Sequence, residues 1–143
     1  MRPVIPSMIR GVFYYASHKV KVDNNVDPNA CEQCNDKRFK AFRYAEKSNS
    51  KPSAQFEITF QLKNMSAKDN EKFSLMPMFF VIGCKGFCNK YWLVDDKTNT
   101  CRGIYQWDSV EDAEAYSKSF AVKFMKKRSV EGSIVYGVKR IVA

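Results

Sequence analysis

The sequence has no apolar run of the roughly 18–20 residues that a membrane-spanning helix needs. It also lacks the phosphate-binding motifs GxxxxGK[ST] and GxGxxG, the GxSxG elbow of hydrolases and the HExxH zinc motif. His18 is its one histidine, and its five cysteines are an odd number. We find no convincing signal peptide, so the odd cysteine count predicts reduced thiols and a cytoplasmic location. These absences argue against a membrane-spanning protein and against the common nucleotide-binding and hydrolase classes.

Acidic residues are also few, since 15 Asp and Glu stand against 24 Lys and Arg and leave a net charge of +9. An excess of this size is one signature of nucleic-acid binding. Here it is spread along the chain, with ten basic and five acidic residues in 1–54 and fourteen and ten in 55–143. The densest cluster, residues 126–128, ends a predicted helix whose first turn is acidic, as the helix dipole favours. We therefore expect a solvated basic surface, with no nucleic-acid and no membrane partner.

What the sequence does have is enough apolar and aromatic side chains for one core, at 45% and 14% of its 143 residues. A polar, proline-containing segment at 48–53 divides the chain. We predict an N-terminal extension, residues 1–54, that packs on a main domain of residues 55–143. In the extension, Asp27 resembles a helix N-cap and Pro28 a first helical residue, which predicts a helix over 28–46.

The main domain has clear periodic signals. Apolar Phe56, Ile58 and Phe60 alternate with polar residues, as in a strand with one buried face. Strands are predicted over residues 56–62, 87–94, 101–107 and 133–142. One helix begins after Ser66, with Pro77 expected to kink or divide it, and a second begins after Ser109. The order β-α-β-β-α-β predicts an α+β, ferredoxin-like fold.

Two helices cover only one face of a four-stranded sheet. The other face here carries bulky side chains on its later strands and must find a partner. We therefore predict a homodimer that packs through its sheets.

Several short segments of the main domain resemble the YdhR-type monooxygenase family. They are Gly86-Phe87, Lys90-Tyr91-Trp92, Gly103-Ile104-Tyr105 and Ala113 with Tyr116. The similarity spans about residues 55–142 and is densest over 103–116. That family belongs to the dimeric α/β-barrel superfamily, which includes antibiotic-biosynthesis monooxygenases. The resemblance implies a dimeric α/β barrel and a cofactor-independent oxygenase.

The resemblance also implies roles for particular residues. Trp107 stands where many oxygenases of the superfamily have a tryptophan, but the histidine that often follows nine residues later is replaced by Tyr116. Histidine-dependent and haem chemistry therefore lose their support. We predict Trp107, Tyr116 and Tyr105 as catalytic hydrogen-bond donors, with Asn89 or Gln106 as further donors, and no cofactor.

The family places its ligand between sheet and helices, which predicts a pocket with aromatic walls for a small aromatic or hydrophobic molecule. The predicted lining residues are Phe60, Phe73, Met76, Phe80, Trp92 and Phe120. Aromatic side chains at these spacings are also ordinary core residues. The alternative is thus a non-enzymatic module that binds a ligand or a protein partner.

Cys31 and Cys34 form a CxxC pair in the extension. The pair could be a redox dithiol, or half of a zinc site completed by Cys84, Cys88 or Cys101. A second CxxC is missing, and the predicted helix places both cysteines on its apolar face with Phe42. We therefore favour packing and predict no metal, with Cys31 and Cys34 as the weak candidates.

Overall fold

A computed structural model describes residues 4–141. The helices are α1 (Val4–Ala16), α2 (Ala67–Phe73), α3 (Leu75–Ile82), α4 (Val110–Ser117) and α5 (Phe120–Arg128). The strands are β1 (Val20–Asp23), β2 (Lys40–Lys47), β3 (Ala54–Gln61), β4 (Phe87–Asp95), β5 (Thr100–Trp107) and β6 (Val135–Arg140). None of the helices within these residues is long and apolar enough to cross a membrane.

The strands form one antiparallel sheet in the order β1-β2-β4-β5-β3-β6. Its part β4-β5-β3-β6 has the strand order of a ferredoxin-like unit, in which each helical segment connects strands that are not neighbours. The predicted α+β fold and its β-α-β-β-α-β order are therefore confirmed. β1 and β2 extend the sheet beyond β4, so the described part of residues 1–54 contributes two strands and α1.

The helix predicted over 28–46 is wrong. Residues 28–39 form turns and residues 40–47 form β2, whose residues alternate between buried Ala41, Arg43 and Ala45 and more exposed neighbours. Asp27 does cap a backbone N–H, but the bond from Asn29 N to Asp27 Oδ1 (2.9 Å) closes a turn instead of a helix. Pairing with the open edge of β4 outweighs the local helix signal.

The helix predicted to begin after Ser66 is divided at Ser74, three residues before Pro77. Pro77 consequently lies in the first turn of α3, where a backbone N–H has no partner within the helix. Ser66 caps α2 as its sequence indicates, accepting a bond from Asp69 N at 3.1 Å. The division turns the end of α2 and the start of α3 into one wall of the site described below.

α1 lies against α3 at a very close crossing. A Cβ atom on Gly11 would collide with the carbonyl group of Phe79, and one on Gly83 would collide with that of Ser7. Glycine is required at both positions because the two backbones touch. The crossing brings Val4 and Met8 beside α3 and α5.

The opposite face of the sheet is covered in part by the loop between β1 and β2. This loop buries a small cluster of Cys31, Phe39, Ala41, Leu93 and Ile104. The main core lies on the helical face and contains most of the buried aromatic side chains.

Candidate ligand site

Three predicted catalytic residues, Tyr105, Trp107 and Tyr116, are fully buried and pack against one another. The Tyr116 hydroxyl donates to the Tyr105 hydroxyl at 3.2 Å. Ring centroids of Tyr116 lie 4.9 Å from Tyr105 and 5.0 Å from Trp107. Burial raises the pKa of both tyrosines, so both hydroxyls are protonated at neutral pH. We call these three residues the ring cluster.

The ring cluster is filled by its own side chains. Phe56 contacts Tyr105 and Tyr116 edge-on, and Phe87 contacts Trp107 in the same way. The Trp107 Nε1–H is buried and has no hydrogen-bond acceptor among residues 4–141. Neither Trp107 nor Tyr116 lines the inner cavity or the outer groove that are described below, so their catalytic roles stay predictions.

An inner cavity of about 60 Å³ lies between the sheet and helices α2, α3 and α5. Phe60 and Trp92, both predicted to contact a ligand, line it together with Tyr105. Its polar lining side chains include Lys90 and Arg128. The inner cavity therefore joins aromatic walls to positive charge.

Lys90 is the unexpected member of this cavity. It alternates with Trp92 on the helical face of β4 and is only 6% exposed. Its Nζ lies 4.3 Å from the ring centroid of Trp92 and 4.1 Å from that of Tyr105. Desolvation lowers the pKa of Lys90 well below its ordinary value, and the positive charge of Arg43 lowers it further. Burial and the neighbouring positive charge thus both favour the neutral amine form of Lys90 over its ammonium form.

Two arginines add positive charge around the inner cavity. Arg43 is buried and donates to Asn24 Oδ1 (2.7 Å), Ser74 Oγ (2.8 Å) and the Glu71 carbonyl (3.2 Å). Arg128 donates to Asn70 Oδ1 at 2.7 Å and lies over the Phe73 ring. Within residues 4–141 no carboxylate forms a salt bridge with Arg43, Arg128 or Lys90. Arg102, which also lines the cavity, is paired with Glu57 at 3.3 Å, so the positive charge without an ion-pair partner in this part of the chain is that of Arg43, Lys90 and Arg128.

An outer groove of about 180 Å³ lies on the helices and is lined only by apolar residues. It holds the other four predicted ligand contacts, Phe73, Met76, Phe80 and Phe120, together with Val4 and Met8 of α1. Pro77, Ala121 and Phe124 line both the groove and the inner cavity. The predicted pocket is thus divided into two adjoining spaces, one apolar and one positively charged.

Lys90, Arg43 and Arg128 are site residues that were not predicted from the sequence. One signal was present, because Lys90 occupies a position in strand 87–94 that alternates with Trp92 and should face the core. The further predicted donors do not join the site, since Asn89 and Gln106 bond to each other at 2.9 Å on the opposite face of the sheet.

Cys31 and Cys34 lie in the loop between β1 and β2, not on a helix. Cys31 packs in the small cluster on the opposite face, and burial raises the pKa of its thiol. A raised thiol pKa disfavours a redox dithiol. Among residues 4–141 there is no disulfide and no group of three His, Cys, Asp or Glu side chains placed to hold a metal ion.

No family model and no curated protein matches this sequence. Solved structures do match. A Listeria monocytogenes ferredoxin-fold protein, described as related to antibiotic biosynthesis monooxygenases, superposes with a TM-score of 0.57 at 11% identity over 73% of this chain and 64% of that one. A protein described as a major regulator of staphylococcal pathogenesis superposes with a TM-score of 0.55 at 15% identity, over 70% and 65%.

An anthrone oxidase-like protein superposes less well, with a TM-score of 0.47 at 20% identity over 64% of this chain and 45% of that one. The chain thus spans between about half and two thirds of the length of these proteins. At these identities the likeness concerns the fold alone. The chain therefore has a ferredoxin-like fold, as the Listeria monocytogenes protein does.

Proposed function

We propose that this protein binds a small aromatic or hydrophobic molecule between its helices and its sheet, and that it oxygenates this molecule without a cofactor. The observation that carries the proposal is the pair of adjoining spaces, the apolar outer groove and the inner cavity beside Lys90 and Trp92. Binding sites for small molecules are typically apolar concavities with a few polar groups, which is the composition found here.

The size of the groove supports a ligand with a flat apolar body. An engineered apolar cavity of about 150 Å³ holds benzene, and the groove has about 180 Å³. Phe73 and Phe120 provide ring faces along it, and both are partly exposed, so a ligand has access from solvent. The inner cavity is large enough for a small polar group at the end of that body.

The oxygenase part of the proposal draws on the fold shared with a protein related to antibiotic biosynthesis monooxygenases. In such a reaction one oxygen atom of O₂ enters the ligand and the other leaves as water, with the two hydrogens and the electrons supplied by the ligand. The residues lining the inner cavity would exclude water and hold the ligand's ionised form beside positive charge. Membership of the YdhR-type family is part of this proposal.

The test combines binding and oxygen consumption. We expect a panel of naphthols and quinols to bind, and at least one member to consume oxygen in the absence of flavin and metal. Ala121 lines both spaces, so Ala121→Leu should weaken binding, whereas Ala115→Leu on α4 should not. Failure of every panel member to bind would overturn the proposal.

A second candidate is a non-enzymatic ligand-binding or protein-interaction module. The filled ring cluster favours this candidate. Trp107 and Tyr116 pack against each other, and neither lines the inner cavity or the outer groove. Under this candidate ligands bind without any oxygen uptake, and Trp107→Phe leaves binding unchanged. Under the oxygenase proposal at least one bound ligand consumes oxygen, and Trp92→Phe in the inner cavity reduces that uptake.

Assembly as a homodimer belongs to the same proposal. The loop between β1 and β2 covers only part of the outer sheet face, which leaves room for a second copy. Residues 1–54 are proposed to act as an extension of the main domain, and the protein to be cytoplasmic. Light scattering coupled to gel filtration tests the dimer, and a mass of 16.5 kDa would contradict it.

A further inference from the structure

Lys90, Arg102 and Arg128 line the inner cavity, and Arg43 lies close enough to Lys90 to act on its charge. Among residues 4–141 the lining of the cavity contains no Asp or Glu. The groups that face Lys90 are Arg43 from β2, Cys101 and Tyr105 from β5, and Arg128 at the end of α5. Glu71 is the acidic residue whose charge acts on the pKa of Arg43, and its side chain is exposed to solvent.

None of these neighbours supplies a negative charge at neutral pH. Burial raises the pKa of the Cys101 thiol to about 12, and burial also raises that of the Tyr105 hydroxyl. Cys101 is instead hydrogen-bonded, because Asn70 Nδ2 donates to its sulfur at 3.3 Å. A buried cation without a counter-charge is costly, and Lys90 is 6% exposed, lies over two ring faces and has no salt bridge within the described residues 4–141.

We propose that the ligand is a hydrophobic molecule ending in an acidic group, whose head lies against Lys90 in the inner cavity while its apolar body fills the outer groove. This rests on the proposed function and names its ligand class. Pro77, Ala121 and Phe124, which line both spaces, are where the body passes from one to the other. The shared chemistry of the head is one acidic oxygen group, as in a carboxylic acid or a phenol.

Binding of such a head is coupled to protonation of Lys90. The anion replaces the missing counter-charge and favours the ammonium form, which also gains from the ring faces of Trp92 and Tyr105. A carboxylate is already ionised, so its binding takes up a proton from solvent onto Lys90. A phenol brings its own proton, which passes from its oxygen to Nζ, and no proton is exchanged with solvent. Carboxylate affinity therefore falls as the pH rises.

The experiment compares three ligands of the same shape by calorimetry in buffers of different ionisation enthalpy. They are 2-naphthoate, 2-naphthol and the neutral 2-naphthalenemethanol. We expect at least one acidic ligand to bind more tightly than the neutral one by about tenfold or more. Naphthoate binding should take up protons from solvent wherever Lys90 is neutral in the free protein, and naphthol binding should take up none.

Lys90→Met should abolish both the preference for the acidic ligand and the proton uptake, while the exposed Lys97→Met keeps both. A thermal melt checks that each variant folds, and the neutral ligand checks that its groove is intact. Equal affinity of acidic and neutral ligands, or an acid preference that survives in Lys90→Met, would overturn the inference. In both cases binding of the neutral ligand leaves the proposed function standing, whereas binding of none of the three refutes that function too.

Discussion

The Nζ of Lys90 lies 4.1 Å from the ring centroid of Tyr105, on the helical face of the sheet. This contact connects the ring cluster with the inner cavity. Tyr105 belongs to the sealed ring cluster and also lines the inner cavity, where Lys90 is the most deeply buried charge-bearing residue among those that line it. Chemistry on a ligand is therefore expected at Lys90 and Trp92, with the ring cluster as the support behind them.

Replacing Lys90 by Met should stabilise the protein, and the gain should depend on pH. The folded-state pKa of Lys90 is lowered from 10.5, so between these two values the unfolded chain binds more protons than the folded chain. The free energy of unfolding of the wild type must then rise with pH in that window. Lys90→Met lacks this pH dependence. Its free energy of unfolding therefore exceeds that of the wild type by less as the pH approaches 10.5.

Urea denaturation of both proteins at a series of pH values checks this. The difference between their free energies of unfolding should change by up to about 1.4 kcal/mol per pH unit. Using the difference removes the contributions that cysteines and tyrosines make equally in both proteins. A difference that stays constant with pH would mean that Lys90 is charged in the folded state.

Tyr116→Phe should destabilise the protein without weakening ligand binding. The change removes the donor of the 3.2 Å hydrogen bond to the buried Tyr105 hydroxyl, at a cost of about 1–3 kcal/mol. Binding should be unchanged because Tyr116 lines neither space. Tyr15→Phe, at a residue 47% exposed, is the matched control and should have almost no effect on stability. If Tyr116→Phe abolishes binding at full stability, Tyr116 contacts the ligand and the ring cluster opens.

Gly11→Ala should force α1 away from α3. The new methyl group would meet the carbonyl of Phe79, which is backbone and has little freedom to move. Overpacking of this kind costs about 1–3 kcal/mol or more, and the groove should lose the wall formed by Val4 and Met8. Gly137→Ala is the control, since nothing lies within 4 Å of its added Cβ. Chemical denaturation gives the free energy of unfolding of each variant. Equal values for Gly11→Ala and Gly137→Ala would contradict the close crossing of α1 and α3.

Much of the main domain could be predicted because its signals are local. Alternation at Phe56, Ile58 and Phe60, together with the cap at Ser66, depends on neighbours in the sequence alone. The extension could not be predicted in this way, since β2 exists only by pairing with β4, and no local pattern encodes that pairing. Asp27 and Pro28 are true turn residues, and they indicated a helix only because both kinds of structure use them.

The candidate site shows the same division. Aromatic residues such as Trp92 and Phe73 could be assigned to the space between helices and sheet from their positions in strand and helix. Their separation into two spaces depends on the break at Ser74 and on the placement of α1, which are features of packing. Lys90 could be recognised in the sequence as a charged residue at an inward-facing position of a strand. Its role in the site could not be predicted, because that role depends on neighbours from β2, β5 and α5.

The most direct test of the proposed ligand site is which tryptophan a bound ligand contacts. The chain has two tryptophans, and one lines the inner cavity while the other is sealed in the ring cluster. Protein labelled with 5-fluorotryptophan gives one ¹⁹F NMR signal for each, assigned with Trp92→Phe and Trp107→Phe. Titration with 2-naphthol should shift the Trp92 signal saturably and leave the Trp107 signal unchanged. A saturable shift of Trp107 alone, or no shift of either signal, would contradict the account.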